Sequence, residues 1–269
     1  MQEKMRIDDL SESNIEDLLY VCSSTRLKDP IHQQGMKLRR QWLHEMIRKH
    51  GPIAKIGYYN DKPVAQILYY PEDADVTKAS PRKNALIILC VYNPTSNAQK
   101  LGIGTMLLQS LIKDAKQRKT CLGNKPCKFL LTAAFDAGEL LPMPEFFKKN
   151  GFIPTSEGDM LYLPIESSYE PRAPIRKYEP LPEDQNKAVI FHSPICQFSF
   201  PFARRIAELV KGVAPDLQTE MINQWERPEE SIKRENGALI VNATPIRTFF
   251  MDTERFKEEV RLAVSKKPQ

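Results

Sequence analysis

The sequence Gln99-Lys100-Leu101-Gly102-Ile103-Gly104-Thr105 follows an apolar run, Ala85–Tyr92, and opens a helix-like pattern that reaches Arg118. A strand, a glycine turn and a helix N-terminus together form a cradle for phosphate groups. Gly102 and Gly104 carry no Cβ, so a ligand can approach the main chain closely. The first N–H groups of a helix have no partner within it, and the dipole adds about half a positive charge there. The stretch predicts a phosphate-bearing ligand; the alternative is a plain strand-to-helix turn.

The bulk composition is that of an ordinary globular protein. The 269 residues are 27% charged and 41% hydrophobic, and the net charge is +5. This mild charge suits an anionic ligand. The sequence has no dense basic stripe interleaved with aromatic residues, so it does not predict nucleic-acid binding. No apolar run approaches the roughly 20 residues of a membrane helix, and the polar N-terminus lacks the pattern of a secretory signal. We therefore expect a cytoplasmic protein that binds neither nucleic acid nor membrane.

The cysteines argue for free thiols rather than for a disulfide framework or a metal site. Five cysteines are scattered along the chain, with no Cys-x-x-Cys pair and no zinc-finger spacing. In a reducing compartment such cysteines stay reduced, although a Cys121–Cys127 disulfide is an alternative. No histidine lies at metal-ligand spacing from a cysteine, so no metal site is predicted.

Hydrophobic periodicity predicts two domains joined by a connector. Residues 1–165 have the pattern β-α-α-β-β-β-α-β-α-β-β. Residues 166–185 contain four prolines among many charges, a composition that favours an extended, semi-rigid segment. Residues 186–269 alternate strands with helices and close with a helix over Asp252–Val264, which is typical of a small α/β layer.

Two motifs in residues 1–165 resemble those of the GNAT superfamily of acetyltransferases. Gln99-x-x-Gly102-x-Gly104 matches the family's Q/R-x-x-G-x-G/A motif, and Phe146-Phe147-x-x-x-Gly151-Phe152 resembles its second motif, a helix with two aromatic residues that ends at Gly-Phe. The order of the predicted elements is also that of the family. The resemblance implies the α+β GNAT fold, in which a mixed sheet with splayed central strands binds acetyl-CoA.

The same resemblance implies roles for individual residues. Backbone atoms of Cys90 and Val91 would pair with the pantetheine amides like an added strand. Amides from Leu101 to Thr105 would hold the pyrophosphate, and Phe146 and Phe147 would wall the thioester side. The predicted cofactor-binding residues are Cys90, Val91, Tyr92, Gln99, Lys100, Leu101, Gly102, Ile103, Gly104, Thr105, Phe146 and Phe147. Candidate partners of the outer phosphates are Lys100, Lys113 and Lys116.

The sequence departs from the family where proton transfer would occur. The second aromatic residue of the helix is Phe147, where many members have a tyrosine that acts as general acid. No carboxylate lies on the central strand, and residues 93–98 lengthen the loop before the cradle. The catalytic acid and base are therefore unassigned, with five open candidates: Tyr69, Tyr70, Tyr92, Asp136 and Glu139.

The C-terminal segment resembles the thioredoxin-like fold, and the whole chain resembles acetyltransferases with a YoaP-like domain. A strand and a turn precede Cys196-x-x-Ser199, where a redox member has Cys-x-x-Cys. A cysteine at a helix N-terminus is expected to have a lowered pKa, and His192 is a candidate partner for it. Gly237 stands where the fold places a cis-proline. Cys196 is thus a candidate reactive thiol, against the alternative of a module that only packs.

The sequence predicts an N-acetyltransferase that moves an acetyl group from acetyl-CoA to the amine of a small molecule or peptide. Direct attack of the amine is expected, with the C-terminal domain assisting acceptor binding. Two alternatives stay open. One is an inactive CoA-binding or interaction protein, which the loss of tyrosine at Phe147 would favour. The other is a monothiol thioredoxin-like module that acts through Cys196.

Overall fold

The contacts between residues divide the chain into two compact units, each built from three separate segments of the sequence. The computed structural model describes residues 4–134, 142–172 and 177–266. The first unit comprises Met1–Thr25, Leu43–Asp75 and Ser80–Ala173. The second comprises Arg26–Trp42, Val76–Ala79 and Pro174–Gln269. The boundaries predicted from sequence, 1–165, 166–185 and 186–269, remain a prediction, and these contacts assign two early segments to the second unit.

The elements up to residue 164 occur in the predicted order. The helices are α1 (Ile15–Ser23), α2 (Pro30–His50), α3 (Ile103–Lys116) and α4 (Met143–Lys149). The strands are β1 (Met5–Asp9), β2 (Ala54–Tyr59), β3 (Lys62–Pro71), β4 (Ala85–Tyr92), β5 (Phe129–Ala133), β6 (Ile153–Pro154) and β7 (Met160–Pro164). The tight turn between β2 and β3 uses Asn60 and Asp61, both with positive φ, as a two-residue hairpin requires.

The strands of the first unit form one mixed sheet. Within the described residues its order is β1-β2-β3-β4-β5-β7-β6. Only β4 and β5 run parallel, and their pairing stops at Ile88 and Thr132. Beyond that point β4 pairs with β3 alone, after a register shift between Leu68 and Tyr69. This is a mixed sheet with splayed central strands, as the family resemblance implied.

Helix α3 packs closely on the sheet at Gly57 of β2. A Cβ built at Gly57 would lie 2.6 Å from Cγ2 of Ile103, the first residue of α3. Nearby, the ammonium group of Lys55, which is almost fully buried, bonds Asp9 at 2.5 Å and also bonds Asp114 of α3. The strand glycine therefore lets the first residue of α3 approach the sheet, and the buried Lys55 ammonium holds the last turn of the helix through Asp114.

Replacing Gly57 with alanine is expected to lower the free energy of unfolding by about 1–3 kcal/mol, the usual cost of overpacking. The backbone of Gly57 does not need positive φ, so the effect comes from the contact with Ile103 alone. Urea denaturation of Gly57→Ala, Ile103→Ala and the double variant measures it. The double variant should lose less stability than the two single losses combined. Simple additivity would show that the two residues do not compete for space.

The second unit contains a smaller sheet and three helices of its own in the described C-terminal part. The elements are β8 (Lys187–His192), α5 (Ser199–Val213), β9 (Gln218–Asn223), α6 (Pro228–Lys233), β10 (Leu239–Val241), β11 (Thr244–Pro245) and α7 (Thr253–Ser265). The sheet order is β11-β10-β8-β9, with β8 parallel to β9 and antiparallel to β10. Its core lies between the sheet and helices α5 and α7. This is an α/β layer, as the periodicity predicted.

The described parts of the proline-rich segment pack against the unit to which each part belongs. Tyr169 packs on Phe129 and Tyr162 of the first unit. In the second unit, Asp184 is fully buried and bonds Arg234 with two hydrogen bonds of 2.7 and 2.9 Å. The composition predicted an extended connector, but tyrosine and charged side chains between the prolines supply packing contacts that proline density does not reveal.

Candidate functional site

The splayed end of β4 presents an open strand edge in the first unit. Residues Leu89 to Tyr92 lie beyond the last β4–β5 pair and are half-buried, whereas Ala85 to Ile88 of the same strand are buried. Cys90, Val91 and Tyr92 pair with β3 on the other side. One edge of this segment therefore offers backbone N–H and C=O groups that a ligand with amide groups can pair with, like an added strand.

The loop after β4 is held by its own side chains. The Nδ2 atom of Asn93 donates to the carbonyl of Ala98 (2.8 Å), and Nε2 of Gln99 donates to the carbonyl of Asn93 (3.1 Å). The additional residues predicted here form a short 3-10 helix, Ser96–Ala98. Gln99 was predicted to bind the cofactor, but its side-chain amide braces the loop. Asn93, which the sequence analysis did not single out, carries the usual signal of such a turn, an asparagine directly after a strand.

The glycine turn leaves backbone donors exposed at the start of α3. Gly102 adopts the left-handed conformation (φ +77°) and precedes the helix, and a Cβ there would meet nothing within 4 Å. The first helical bond is from the N–H of Met106 to the carbonyl of Gly102 (2.9 Å). Within the described part of the chain, the N–H groups from Leu101 to Thr105 donate to no acceptor. These donors and the helix dipole form a site suited to an anion.

Gly104 lies between the open strand and α4. A Cβ at Gly104 would approach Val91 Cγ1 to 3.6 Å and Phe146 Cε2 to 3.7 Å. One place thus brings together the end of strand β4, the first turn of helix α3 and the first aromatic residue of helix α4. Of the predicted residues, the structure brings together Val91, Gly104 and Phe146 around the turn of Leu101 to Thr105.

Phe147 is part of the core and does not line the cleft. Its ring is fully buried, 5.2 Å from the ring of Phe146 and 4.9 Å from that of Phe152. Phe146 is only half-buried. The prediction that both rings form a wall is therefore wrong for Phe147, because successive residues of a helix face different directions.

Two of the three lysines predicted to contact the outer phosphates lie too far from the N-terminus of α3. Lys113 and Lys116 occupy its last turn. At 1.5 Å per residue, Lys113 lies about 15 Å from the first residue of the helix, beyond the reach of a lysine side chain to an anion at the N-terminus. Lys100 precedes the turn, is exposed and has positive φ. It is the remaining candidate for a phosphate partner.

The acid and base candidates differ sharply in exposure. Tyr69 and Tyr70 are buried, and burial raises the pKa of both phenols well above the usual value. They cannot exchange protons with a substrate in the cleft. Asp136 and Glu139 lie outside the described residues. Tyr92, half-buried at the end of the open strand, is the candidate that the described part of the chain leaves.

Beside the end of β4, a buried amide on β3 lies between two thiols, one on α1 and one on β4. Gln66 Nε2 on β3 lies 3.0 Å from Sγ of Cys22 and 3.7 Å from Sγ of Cys90. Cys90 and Tyr92 alternate with Val91 along the strand, so they face away from α3. Gln66 and Cys22 were not predicted, because residues 44 positions apart have no local signal.

In the second unit, the side chain of Cys196 is exposed in the turn that follows β8. The carbonyl of Cys196 accepts a hydrogen bond from the N–H of Ser199 (3.0 Å). Helix α5 begins only at Ser199, so Cys196 lies in a turn before the helix and not at its first residue. The hydroxyl of Ser199 accepts a bond from the N–H of Ser193. His192 is buried, which lowers its pKa, and no contact joins it to Cys196 among the described residues. The predicted His192–Cys196 partnership is not formed.

Neither unit offers a metal site or a membrane helix within the residues described. No group of three or more histidine, cysteine or acidic side chains there could hold a metal ion. No helix in the described ranges has the length and apolar character needed to cross a membrane.

Comparisons with known proteins bear on the N-terminal part of the chain. Residues 14–130 match the model of the acetyltransferase (GNAT) family. No curated protein matches the sequence. Similar solved structures include an N-acetyltransferase from Staphylococcus aureus Mu50, with 15% identity over 61% of this chain and 99% of that chain and a TM-score of 0.44.

Two other similar structures were solved with ligands. A GNAT family acetyltransferase from Brucella melitensis in complex with acetyl-CoA has 11% identity, covers 64% of this chain and 92% of that chain, and has a TM-score of 0.40. The PaiA N-acetyltransferase from Thermoplasma acidophilum in complex with coenzyme A has 14% identity, covers 59% and 96%, and has a TM-score of 0.41.

The family match covers the open strand and the whole of α3. It supports a GNAT acetyltransferase domain in the N-terminal part of the chain, and it contains the first of the two motifs. The match ends at residue 130, so the YoaP-like, thioredoxin-like assignment of the C-terminal segment remains a prediction.

Proposed function

We propose that this protein transfers the acetyl group of acetyl-CoA to an amine of a small molecule or peptide. The observation that carries the proposal is the meeting of an open strand edge, a set of backbone donors and a glycine gap in one cleft. A strand edge suits the amides of a pantetheine arm, and a helix N-terminus suits a pyrophosphate. A plain strand-to-helix turn would need neither the open strand edge nor the glycine gap.

Each part of the cleft has a proposed role in binding. Backbone groups of Cys90 and Val91 would pair with the pantetheine amides. The N–H groups from Leu101 to Thr105 would hold the pyrophosphate, with Lys100 as a nearby cation. Thr132 supports ligand binding at the point of splay, because its buried hydroxyl has no hydrogen-bond partner in the described ranges. Acetyl-CoA supplies an activated thioester that an amine can attack directly.

Proton transfer is assigned to Tyr92 in this proposal. A phenol can protonate a leaving thiolate, and holding the amine beside the thioester supplies much of the remaining rate. Phe147 cannot take this role, because it has no proton to donate and is buried. Tyr92 is half-buried on the strand that would pair with the pantetheine arm, so in this proposal it reaches the sulfur from the face of the strand opposite to Val91 and Phe146.

Replacing Tyr92 with phenylalanine is expected to lower kcat about 100-fold, at the lower end of general acid catalysis. The KM for acetyl-CoA should stay within about twofold, because the backbone groups that bind it are unchanged. Steady-state rates across pH 6 to 10 measure both constants. Tyr162→Phe on β7, another half-buried tyrosine, is the control and should keep the wild-type kcat. An unchanged kcat in Tyr92→Phe would remove Tyr92 from the mechanism.

The function itself is tested by CoA release. The full chain is incubated with acetyl-CoA and a panel of polyamines, aminoglycosides, amino acids and peptides, and free thiol and acetylated product are measured together. We expect one amine class to give stoichiometric thiol and product. Tight acetyl-CoA binding without release across the panel would favour the alternative of a CoA-binding protein without turnover. A Cys196→Ser variant with wild-type transfer would set aside the monothiol alternative.

A further inference from the structure

A cavity in the second unit has the size and lining of a binding site for an aromatic ring. Its volume is 240 Å³. It lies between α5, the start of β10 and the segment from Ile246 to Phe250. The lining is mainly apolar and includes Phe191, Phe202, Ile206, Phe249, Phe250 and Phe256. An apolar cavity of about 150 Å³ already takes up benzene and excludes water, so this one has room for a larger ring system.

The aromatic side chains at the mouth are exposed rather than folded inward. Phe249 is 63% exposed and Phe202 39%, although both line the cavity. Their rings lie 4.8 and 5.2 Å from the ring of Phe250, which is buried. Large apolar side chains grouped on a surface mark interaction sites. A ring that enters the cavity would gain edge and face contacts with all three.

The polar groups at the mouth are already paired, which selects against a charged ligand. The guanidinium of Arg247 bonds Glu235 at 2.6 Å, and this bond lowers the pKa of Glu235. Glu259 accepts the N–H groups of Arg247 (2.9 Å) and Thr248 (2.7 Å). A charged group inside the apolar lining would lose its hydration without gaining a buried partner of opposite charge, so an uncharged ligand fits better.

The same bonds argue against a peptide. An extended peptide binds largely through backbone hydrogen bonds to a free edge. Here the N–H of Ile246 donates to the carbonyl of Leu239, and Glu259 occupies the next two N–H groups. The segment beside the cavity therefore has no donor left at these three positions for a passing chain.

We propose that this cavity binds a small, uncharged aromatic molecule of one or two rings. The site is distinct from the acetyl-CoA cleft, since every lining residue belongs to the second unit. The bonds of Glu259 and Glu235 fix the segment from Ile246 to Phe250, so the cavity is preformed and binding orders little of the chain.

The test uses the full chain with indole and benzyl alcohol as probes, measured by ligand-observed NMR and by the shift in Tm. Saturable binding of indole is expected, with benzoate and benzylammonium at least tenfold weaker. Ala203→Phe places a ring in the cavity and should weaken indole binding at least tenfold. Lys211→Phe adds the same ring to an exposed position of α5 outside the lining, and this matched control should bind as the wild type does.

A second variant guards against failure of Ala203→Phe to fold. Phe202→Ala removes an exposed ring at the mouth and should fold normally while weakening indole binding at least fivefold. Indole binding that is unchanged in both variants would overturn the proposal. So would tenfold tighter binding of a blocked phenylalanyl tripeptide than of indole, because that result would make a polypeptide the occupant.

Discussion

Replacing Gly104 with glutamate is expected to weaken acetyl-CoA binding by at least about 1,000-fold, or about 4 kcal/mol. The new carboxylate would start between Val91 and Phe146 and lie beside the N–H groups at the start of α3. It would take the place of the pyrophosphate and repel it. Titration calorimetry with acetyl-CoA on the wild type and the variant measures the loss directly.

Two control variants separate charge and bulk from a general loss of structure. Gly104→Ala should keep most of the acetyl-CoA binding that Gly104→Glu loses, because its Cβ makes only ordinary contacts of 3.6 and 3.7 Å with the protein and adds no charge. Gly212→Glu adds the same side chain to an exposed glycine of another helix, with nothing within 4 Å, and should bind normally. Full acetyl-CoA binding by Gly104→Glu, with wild-type circular dichroism, would contradict the cradle.

The order of elements in the first unit was predictable because each element has a local signal. The apolar run of β4, the glycine turn and the helical spacing of α3 are all visible in sequence, and their bounds agree closely with the structure. The splay between β4 and β5 is different. It depends on where pairing stops, at Ile88 and Thr132, and on a shift of register in β3. No local pattern encodes these features, and the family resemblance implied only the splay, without its position or the register shift.

The individual site residues were less predictable than the cradle. Motif matching treated Phe146 and Phe147 alike, but one is half-buried and the other belongs to the core. Lys113 has the charge that a phosphate partner needs, but the helical rise from Ile103 places it too far from the start of α3. Gly57 has a signal that was passed over, since a glycine inside a strand often marks close approach of another element.

The second unit shows the largest gap between sequence and structure. This unit includes the segment Arg26–Trp42, which lies more than 130 residues before Pro174 in the chain. There, Arg39 is buried and donates to Gln197 at 2.8 Å, and Gly35 leaves no room for a Cβ beside the carbonyl of Gln197. Pairings at such separation leave no periodic trace, so a domain boundary based on composition could not include them.

Replacing Arg234 with methionine is expected to lower the free energy of unfolding of the second unit by about 3–5 kcal/mol, the cost of leaving a buried charge without its partner. Arg234 is 2% exposed and forms both bonds to Asp184, which is fully buried. The Asp184 carboxylate would then keep its bond from the hydroxyl of Tyr178 at 2.8 Å. Urea denaturation followed by tryptophan fluorescence measures the effect, because both tryptophans, Trp42 and Trp225, belong to this unit.

A matched arginine and a double variant identify the cause of that loss. Arg205→Met removes an exposed ion pair with Glu208, in which both side chains are more than half exposed, and should cost less than about 1 kcal/mol. In Asp184→Leu/Arg234→Met no charge is left buried, so this variant should recover part of the stability that Arg234→Met loses. An equal or larger loss in the double variant would assign the effect to packing around Asp184. A loss in Arg234→Met no larger than in Arg205→Met would show that the buried pair does not hold the end of the proline-rich segment.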